Sequence, residues 1–398
     1  MSGPAAHGRP WFQRARYLSA PLIRPLVSMR RLTARTLDGS SCSILVVDDA
    51  VPLKLLLAGM LTEQTETLPL GKVSIMAMPA MLRREVANYD LVLARVPQLL
   101  ANRSFRAPFL HLPYLVDMRA RTEEIAIRRQ LGSSKTVGSA YSRWRQQGFV
   151  AIQRREPADL NLFYKTMYQP FVSARYGDAA APLSLPAMRR SLQQGTIVWV
   201  EKDGSAIAAQ LIERCGSTLY TIAVGTSLEP AAARAMGVLT ALKVAASDLA
   251  IDTGCEWINF GGCMPWLSDG VLQNKRQWGA ELVHRHWLHR GLLATWARWT
   301  PAAAAFLAMA PICRHDEMTF SITTAAPWAH RGVQNLTLPG IDRVLMVDEG
   351  ASGAGKGAKE GVQRVAAAGA REILDQARLG AEDLPTPESW GSADTVAS

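Results

Sequence analysis

Strand-like and helix-like segments alternate between residues 150 and 290, and this alternation restricts the fold more than any other feature of the chain. A helix-like stretch at 157–174 precedes a predicted hairpin at 196–214. A strand-like run at 217–224 then leads into a long predicted helix at 230–249. Strands that alternate with helices around a central meander indicate an α/β or α+β fold, in which helices flank mixed central sheets.

Residues 38–150 show a similar pattern and predict a separate α/β unit. Its strand-like runs lie at 43–47, 72–78 and 90–95, and its helix-like runs lie at 51–61 and 81–87. A polar, Arg-rich stretch at 119–147 is also predicted to be helical. We therefore divide the chain into a basic N-terminal arm (1–37), a first lobe (38–150), a second lobe (151–348) and a flexible tail (349–398). The tail is rich in Gly, Ala and Ser and contains one predicted amphipathic helix at 359–379.

The composition is that of a folded protein with a basic N-terminus. Of 398 residues, 48% are hydrophobic, and 44 Lys+Arg face 34 Asp+Glu, which excludes a disordered, collagen-like or coiled-coil chain. Seven arginines precede Asp38, the first acidic residue. Such a segment suits a transit peptide, a membrane-surface arm, a nucleic-acid arm or a terminus packed on the protein.

The most apolar region, residues 291–313, is interrupted by Arg298, Pro301 and Pro311. Its longest uncharged run is shorter than the roughly 20 residues that span a bilayer. We expect a buried or interfacial helix pair there, and a cytoplasmic protein that is soluble or peripheral at the inner face of the membrane.

Two motifs and the cysteines indicate what the chain does not do. Residues 44–49 resemble the first strand of a response-regulator receiver, but Arg95 stands where the phosphoacceptor aspartate belongs. The segment 350–357 resembles a P-loop but has Gly357 in place of the Mg²⁺-binding Ser or Thr, so a flexible linker is expected. Five scattered cysteines without a C-x-x-C pair, and two histidines at 284 and 286 without a third ligand, predict no metal site and no disulfide.

Two stretches carry a family resemblance. Residues 255–262 end in Phe260-Gly261-Gly262, and residues 268–279 end in Lys275-x-x-Trp278-Gly279. Together with the aromatic helix around Tyr168 and the turn Arg175-Tyr176-Gly177, they resemble the Fem-like branch of the GNAT acyltransferase fold. The resemblance implies two GNAT-like lobes in tandem, with the active cleft in the second lobe between splayed central strands.

Three residues are candidates for the chemistry. In the resemblance, Asn259 stands where the family usually has Asp. Tyr220, in the predicted central strand, would donate a proton to the leaving group, and Asp269, in a loop expected to border the cleft, would be the base for the acceptor amine. For Tyr220 the alternative is plain packing, and for Asp269 it is helix N-capping. The implied substrate- and cofactor-binding residues are Tyr168, Arg175, Tyr176, Gly225, Arg234, Gly237, Gly261, Lys275 and Trp278.

The implied function is N-acyl transfer from an acyl-CoA, such as acetyl-CoA, to an amine on an amino sugar or lipid-linked precursor of an exopolysaccharide or the cell envelope. A first alternative is aminoacyl transfer from tRNA to a peptidoglycan precursor. A second is a non-catalytic GNAT-fold scaffold or nucleotide-binding protein. The basic arm would bind an anionic membrane surface.

Overall fold

A computed structural model describes most of the chain. The described residues are 26–48, 51–97, 109–131, 137–177, 182–283, 290–315, 318–324, 336, 338–348 and 362–379. The predicted linker at 350–357, residues 380–398 and the histidines at 284 and 286 lie outside them. Within the described part, no helix is long and apolar enough to cross a membrane.

The strands and helices follow one another in mixed order. The strands are β1 (Leu26–Thr36), β2 (Ser41–Val47), β3 (Leu61–Ser74), β4 (Leu91–Pro97), β5 (Leu110–Pro113), β6 (Val116–Arg121), β7 (Val150–Arg154), β8 (Gly195–Lys202), β9 (Ser205–Cys215), β10 (Thr218–Thr226), β11 (Trp257–Cys263), β12 (Glu281–Val283), β13 (Arg290–Thr295), β14 (Ile312–His315), β15 (Met318–Thr324), β16 (Arg343–Asp348) and β17 (Val362–Ala366). The α-helices are α1 (Val51–Met60), α2 (Met78–Glu85), α3 (Thr122–Leu131), α4 (Val137–Gln146), α5 (Pro157–Phe163), α6 (Gln169–Tyr176), α7 (Leu185–Leu192), α8 (Pro230–Met236), α9 (Val238–Asp252), α10 (Gly270–Arg276), α11 (Pro301–Ala308) and α12 (Ala370–Leu379), and a π-helix (Tyr164–Tyr168) joins α5 to α6.

These strands form three sheets flanked by helices, which confirms the predicted α/β (α+β) class. Their orders are β3-β1-β2-β4-β13-β5, β12-β6-β11-β10-β9-β8-β7 and β14-β15-β16-β17. The first two sheets exchange strands across residue 150, because β6 joins the seven-stranded sheet and β13 joins the six-stranded one. The division into an arm, two lobes and a tail stays a prediction.

Helices cover both faces of the seven-stranded sheet. Helix α9 packs on one face together with α3 and α4, burying side chains at helical spacing such as Val238, Leu242 and Ala245. The helices α5 to α7 cover the other face over β8, β9 and the end of β10, around Phe163 and Trp199. The central strand β10 is therefore enclosed from both sides.

Residues 26–36, at the end of the predicted arm, form strand β1, which pairs with β2 and β3 and buries the alternate side chains Leu32 and Ala34. Three sequence-based expectations need correction. The apolar region 291–313 holds one helix, α11, between strands β13 and β14, and not a helix pair. The stretch 119–147 begins within strand β6 before its two helices, and the predicted helix at 359–379 contains strand β17 before α12.

Arg95, which stands where a receiver has its phosphoacceptor aspartate, forms an ion pair in the first sheet. Arg95, on β4, donates from Nε to Asp48 Oδ2 at 2.6 Å, just after the neighbouring parallel strand β2. Both side chains are mostly buried. The pair joins the ends of the two strands where a receiver would place its acidic cluster.

Candidate active site between two diverging strands

The seven-stranded sheet opens between its two parallel strands. Strands β10 and β11 pair over only three positions, from Thr218 with Trp257 to Tyr220 with Asn259. Beyond Tyr220, β10 stays paired with β9, while β11 follows β6. The gap between residues 221–226 and 260–263 is called the wedge here, and it confirms the expectation of splayed central strands.

Asn259 shapes the apex of the wedge. Its side-chain Oδ1 accepts a hydrogen bond from Gly261 N at 2.8 Å, and its carbonyl oxygen accepts one from Thr221 Oγ1 at 2.8 Å. Gly261 has a φ of +78°, which favours glycine, and a Cβ there would lie 3.2 Å from the Thr221 carbonyl oxygen. The β11–β6 register shifts between Asn259 and Gly262, so β11 bulges as it leaves β10.

Lys275 holds this bulge from helix α10. Its Nζ donates to the carbonyl oxygens of Gly261 and Gly262, both at 2.8 Å, and its side chain is 4% exposed. Trp278, one turn further on, is buried and packs edge-on against Phe260 at a centroid distance of 6.0 Å. The two residues of the predicted motif therefore fix one wall of the wedge.

The other wall is formed by β10 against the π-helix. A Cβ on Gly225 would lie 2.7 Å from the backbone of Met167 and Tyr168, so only glycine permits this approach. The Tyr168 hydroxyl accepts a hydrogen bond from Leu183 N at 2.7 Å and is not directed freely into solvent. Gly225 and Tyr168 thus position the strand and its supporting helix.

A row of polar residues crosses the sheet at the closed end of the wedge. Tyr220 is paired with Glu213 on β9 and with Asn259 on β11. The row continues through Arg119 on β6 to Glu281 on β12, where Arg119 Nε donates to the glutamate at 2.8 Å. Directly paired residues share one face of a sheet, and Glu213, Tyr220 and Asn259 are all buried.

Glu213 was missed by sequence reasoning. It is 2% exposed, although carboxylates are seldom fully buried. In the sequence, Glu213 stands out because it directly follows residues 206–212 of β9, which are apolar except for Gln210.

Asp269 lies in the loop between β11 and α10. Its Oδ1 accepts a hydrogen bond from Val271 N and its Oδ2 accepts one from Met264 N, both at 3.1 Å. The carboxylate therefore caps α10 and ties its start to the end of β11. The side chain is half-buried at the β11 side of the wedge.

The remaining predicted binding residues lie around the start of α9 and the end of α6. Arg234 is exposed on α8, and Gly237 adopts a left-handed conformation, with a φ of +70°, between α8 and α9. A Cβ on Gly237 would lie 2.8 Å from Arg143 Nη1. Arg175 is exposed near the end of α6, with its guanidinium 5.9 Å from the Phe171 ring, and the Tyr176 side chain lies outside the described residues.

Lys243, on α9, is a second residue that sequence reasoning missed. Its Nζ lies 5.7 Å from the Phe260 ring centroid and 5.8 Å from that of Trp278, and it donates a hydrogen bond to Asn274 Oδ1 on α10. Burial, together with the positive charges of Lys275 and Arg175, lowers the pKa of Lys243 to about 7. In the sequence, Lys243 could have been noticed because it is the one charged residue between 235 and 247.

Comparison with known proteins gives structural neighbours of low similarity. No protein-family model and no curated protein matches the chain. Among solved structures, it is similar to FemX (13% identity, 67% of this chain and 88% of that one, TM-score 0.36). It is also similar to L-PGS from Bacillus licheniformis (12% identity, 66% of this chain and 83% of that one, TM-score 0.35). A third neighbour is a GCN5-related N-acetyltransferase from Sphaerobacter thermophilus (11% identity, 72% of this chain and 85% of that one, TM-score 0.31). Because these values are low, the description of the fold rests on the strand order and the wedge themselves.

Proposed function

We propose that the protein is an N-acyltransferase that moves an acyl group from an acyl-CoA to an amine, with the reaction at the wedge. The single observation that carries this proposal is the separation of β10 from β11 beyond Tyr220. Beyond Tyr220, the edge of β10 that faces β11 has no strand partner among the described residues, so we expect its backbone groups to bind a donor inserted between the strands. On the β11 side, the backbone of Gly261 and Gly262 is bonded to Asn259 and Lys275. Backbone N–H groups aimed at a carbonyl oxygen stabilise the oxyanion that forms during acyl transfer.

The proposed step uses Tyr220, at the closed end of the wedge, and Asp269, in the loop after β11. The amine nitrogen attacks the acyl carbonyl carbon, the new C–N bond forms and the C–S bond of the thioester breaks. Asp269 takes the proton that the amine nitrogen loses, and the Tyr220 hydroxyl gives its proton to the departing thiolate. Proton return from Asp269 to Tyr220 through solvent then restores both groups.

The proposed acceptor is an amino sugar of an exopolysaccharide or another cell-envelope precursor, and the proposed place of action is the inner face of the membrane. The proposed binding residues are Tyr168, Arg175, Tyr176, Gly225, Arg234, Gly237, Gly261, Lys275 and Trp278. Arg234 and Gly237 stand at the entrance to α9, where the helix N-terminus favours negatively charged groups of the donor.

A second candidate is aminoacyl transfer from tRNA, which the charge around the wedge favours. Besides burial, the positive charges of Lys275 and Arg175 lower the pKa of Lys243. Helices α3 and α4 add arginines in their last turns. Of these arginines, Arg143 and Arg145 on α4 are exposed, and exposed arginines can bind the phosphates of a polyanionic donor.

The test is to incubate the purified protein with acetyl-CoA and longer acyl-CoAs and a panel of amino sugars, and to measure release of free CoA thiol. We expect turnover that depends on the amine and falls by about 100-fold in Tyr220→Phe, which removes the phenolic hydroxyl that would donate the proton. Thiol release that is equal with and without the protein would refute the acyl-CoA reaction. Binding of aminoacyl-tRNA, with transfer to the same acceptors, would establish the second candidate in its place.

The role of Asp269 is tested by Asp269→Asn. The amide oxygen retains one acceptor for the α10 cap but cannot take up a proton, so we expect the turnover number to fall by about 100-fold. The free energy of unfolding should fall by less than about 1 kcal/mol. Turnover at the wild-type rate would restrict Asp269 to capping the helix.

A further inference from the structure

We propose that Glu213 is a positioning residue for Tyr220: its carboxylate accepts a hydrogen bond from the Tyr220 hydroxyl and fixes that hydroxyl at the closed end of the wedge. The inference rests on the proposed function, because it adds a second residue to the proton transfer assigned to Tyr220. It gives a task to a carboxylate that the proposed step leaves unused, although its residue is only 2% exposed.

The first observation is the pairing of β9 with β10. Glu213 lies directly opposite Tyr220 in this antiparallel pair, and the pairing is regular from Thr218 to Thr221. Side chains of directly opposed residues stand on the same face of a sheet, with their Cβ atoms about 5 Å apart. A glutamate and a tyrosine side chain can therefore meet above these two strands.

The second observation concerns the residues that neighbour Glu213 across the strands. Its directly opposed residue on β8 is Gly195, which has no side chain. The diagonal positions on β8 and β10 hold Ile197 and Thr218, so none of these cross-strand neighbours is a cation. Tyr220 is therefore the directly opposed residue whose side chain can donate a hydrogen bond to the carboxylate.

The third observation is the burial of both residues. Leu211, two positions before Glu213 on β9 and so on the same face, packs in the core between the sheet and the helices α5 to α7. Tyr220 is 7% exposed, and Glu213 is less exposed still. A carboxylate is costly to bury unless it is hydrogen-bonded, and a bond from a hydroxyl to a carboxylate is strong away from water. The hydrogen bond from Tyr220 offsets part of this cost.

The residue on the other side of Tyr220 has a different task. Asn259 is opposite Tyr220 on β11, and its side-chain Oδ1 accepts the hydrogen bond from Gly261 N that shapes the bulge. The acceptor for the tyrosine is therefore the carboxylate on β9. Tyr220 and Asn259 are also the last pair before β10 and β11 part, so Glu213 holds the side chain at the point where the wedge begins.

The proton transfer stays balanced with Glu213 in this role. When the C–S bond breaks, the Tyr220 hydroxyl turns about its C–O bond from the carboxylate to the sulfur. Its O–H bond then breaks and the S–H bond of the free thiol forms. The tyrosinate is unfavourable beside a buried carboxylate, because like charges repel one another there. It therefore takes up the proton that Asp269 releases, and Glu213 neither gains nor loses a proton.

The kinetic test is a double-mutant cycle on the full chain, measured as release of CoA thiol from acetyl-CoA with the panel of amino sugars. Glu213→Leu should lower the turnover number by about tenfold and leave the KM for acetyl-CoA unchanged, because the proton donor is misplaced while donor binding is not affected. Glu213→Gln keeps an acceptor oxygen and should retain most of the turnover. In a Tyr220→Phe background, Glu213→Leu should cause no further loss, since Glu213 acts through Tyr220.

A second measurement needs no activity and covers the case in which Glu213→Leu does not fold. The chain is labelled with ¹³C at the tyrosine ring carbon that bears the hydroxyl, and the NMR signal of Tyr220 is identified by its loss in Tyr220→Phe. The chemical shift of this carbon responds to the hydrogen bond of the hydroxyl, so Glu213→Gln should move the Tyr220 signal and leave the other tyrosine signals in place. The matched control is Glu63→Gln, on the exposed part of β3 in the other sheet, which should move none of them.

An unmoved Tyr220 signal in Glu213→Gln would overturn the inference, as would an equal loss of turnover from Glu213→Leu with and without the Tyr220 hydroxyl. A moved signal in a protein that transfers no acyl group would refute the proposed function and leave the hydrogen bond in place. Turnover that requires Tyr220 but is unchanged in Glu213→Leu would refute this inference alone.

Discussion

Gly225→Ala is expected to lower the free energy of unfolding by about 2 to 3 kcal/mol, because the added methyl group has no room. Its Cβ would lie 2.7 Å from both the Met167 carbonyl carbon and the Tyr168 amide nitrogen. These are backbone atoms of a π-helix whose side chains Met167 and Tyr168 are buried, so they cannot move aside without displacing the core. Urea unfolding followed by circular dichroism measures the effect.

Gly291→Ala is the matched control for this substitution. Gly291 also lies in a strand, β13, but the nearest atom to its added Cβ is the Leu112 carbonyl oxygen at 3.5 Å, an ordinary contact. We expect the control to change the free energy of unfolding by less than about 1 kcal/mol. Equal unfolding midpoints for the two variants would show that β10 does not press against the π-helix as described.

Lys275→Met is expected to cost about 2 kcal/mol of unfolding free energy and to abolish most of the acyl transfer. Methionine fills a similar volume, but it leaves the carbonyls of Gly261 and Gly262 without the donor that the ammonium supplied. The bulge of β11 then loses its support, and the backbone groups on that wall of the wedge are no longer held in place. Urea unfolding and thiol release measure the two effects separately.

Gln277→Met is the control on the same segment, since Gln277 is exposed just beyond the end of α10. It should retain wild-type stability and turnover. A Lys275→Met protein with unchanged stability would contradict the buried hydrogen bonds. One with unchanged turnover would show that the reaction does not depend on the bulge.

Elements formed by local patterns were predictable from the sequence. The hairpin of β8 and β9, strand β10 and helix α9 follow from apolar runs and turn residues close in the chain. Phe260, Gly261, Lys275 and Trp278 were singled out by a resemblance to a family motif, and they lie on β11, on α10 or directly after α10, beside the wedge.

Features that depend on distant residues were not predictable. Residues 26–36 were assigned to the arm because of their arginines. Their strand conformation depends on pairing with β2 and β3, which lie later in the chain. Strand β17 was taken as the beginning of a helix because its partner β16 lies about twenty residues earlier in the chain. Glu213 and Lys243 gain their environment from neighbours on other elements, which no single segment reveals.

The exchange of strands between the two large sheets has a consequence for dissecting the protein. Strand β6 is an interior strand of the seven-stranded sheet, and β13 is an interior strand of the six-stranded one. A cut at residue 150 would therefore remove the strand next to one edge of each sheet, separate the edge strands β12 and β5 from the rest, and expose backbone on both sides of the gap. Only two residues, Tyr114 and Leu115, separate β5 from β6, so the sheets are closely tethered and should melt as one cooperative unit.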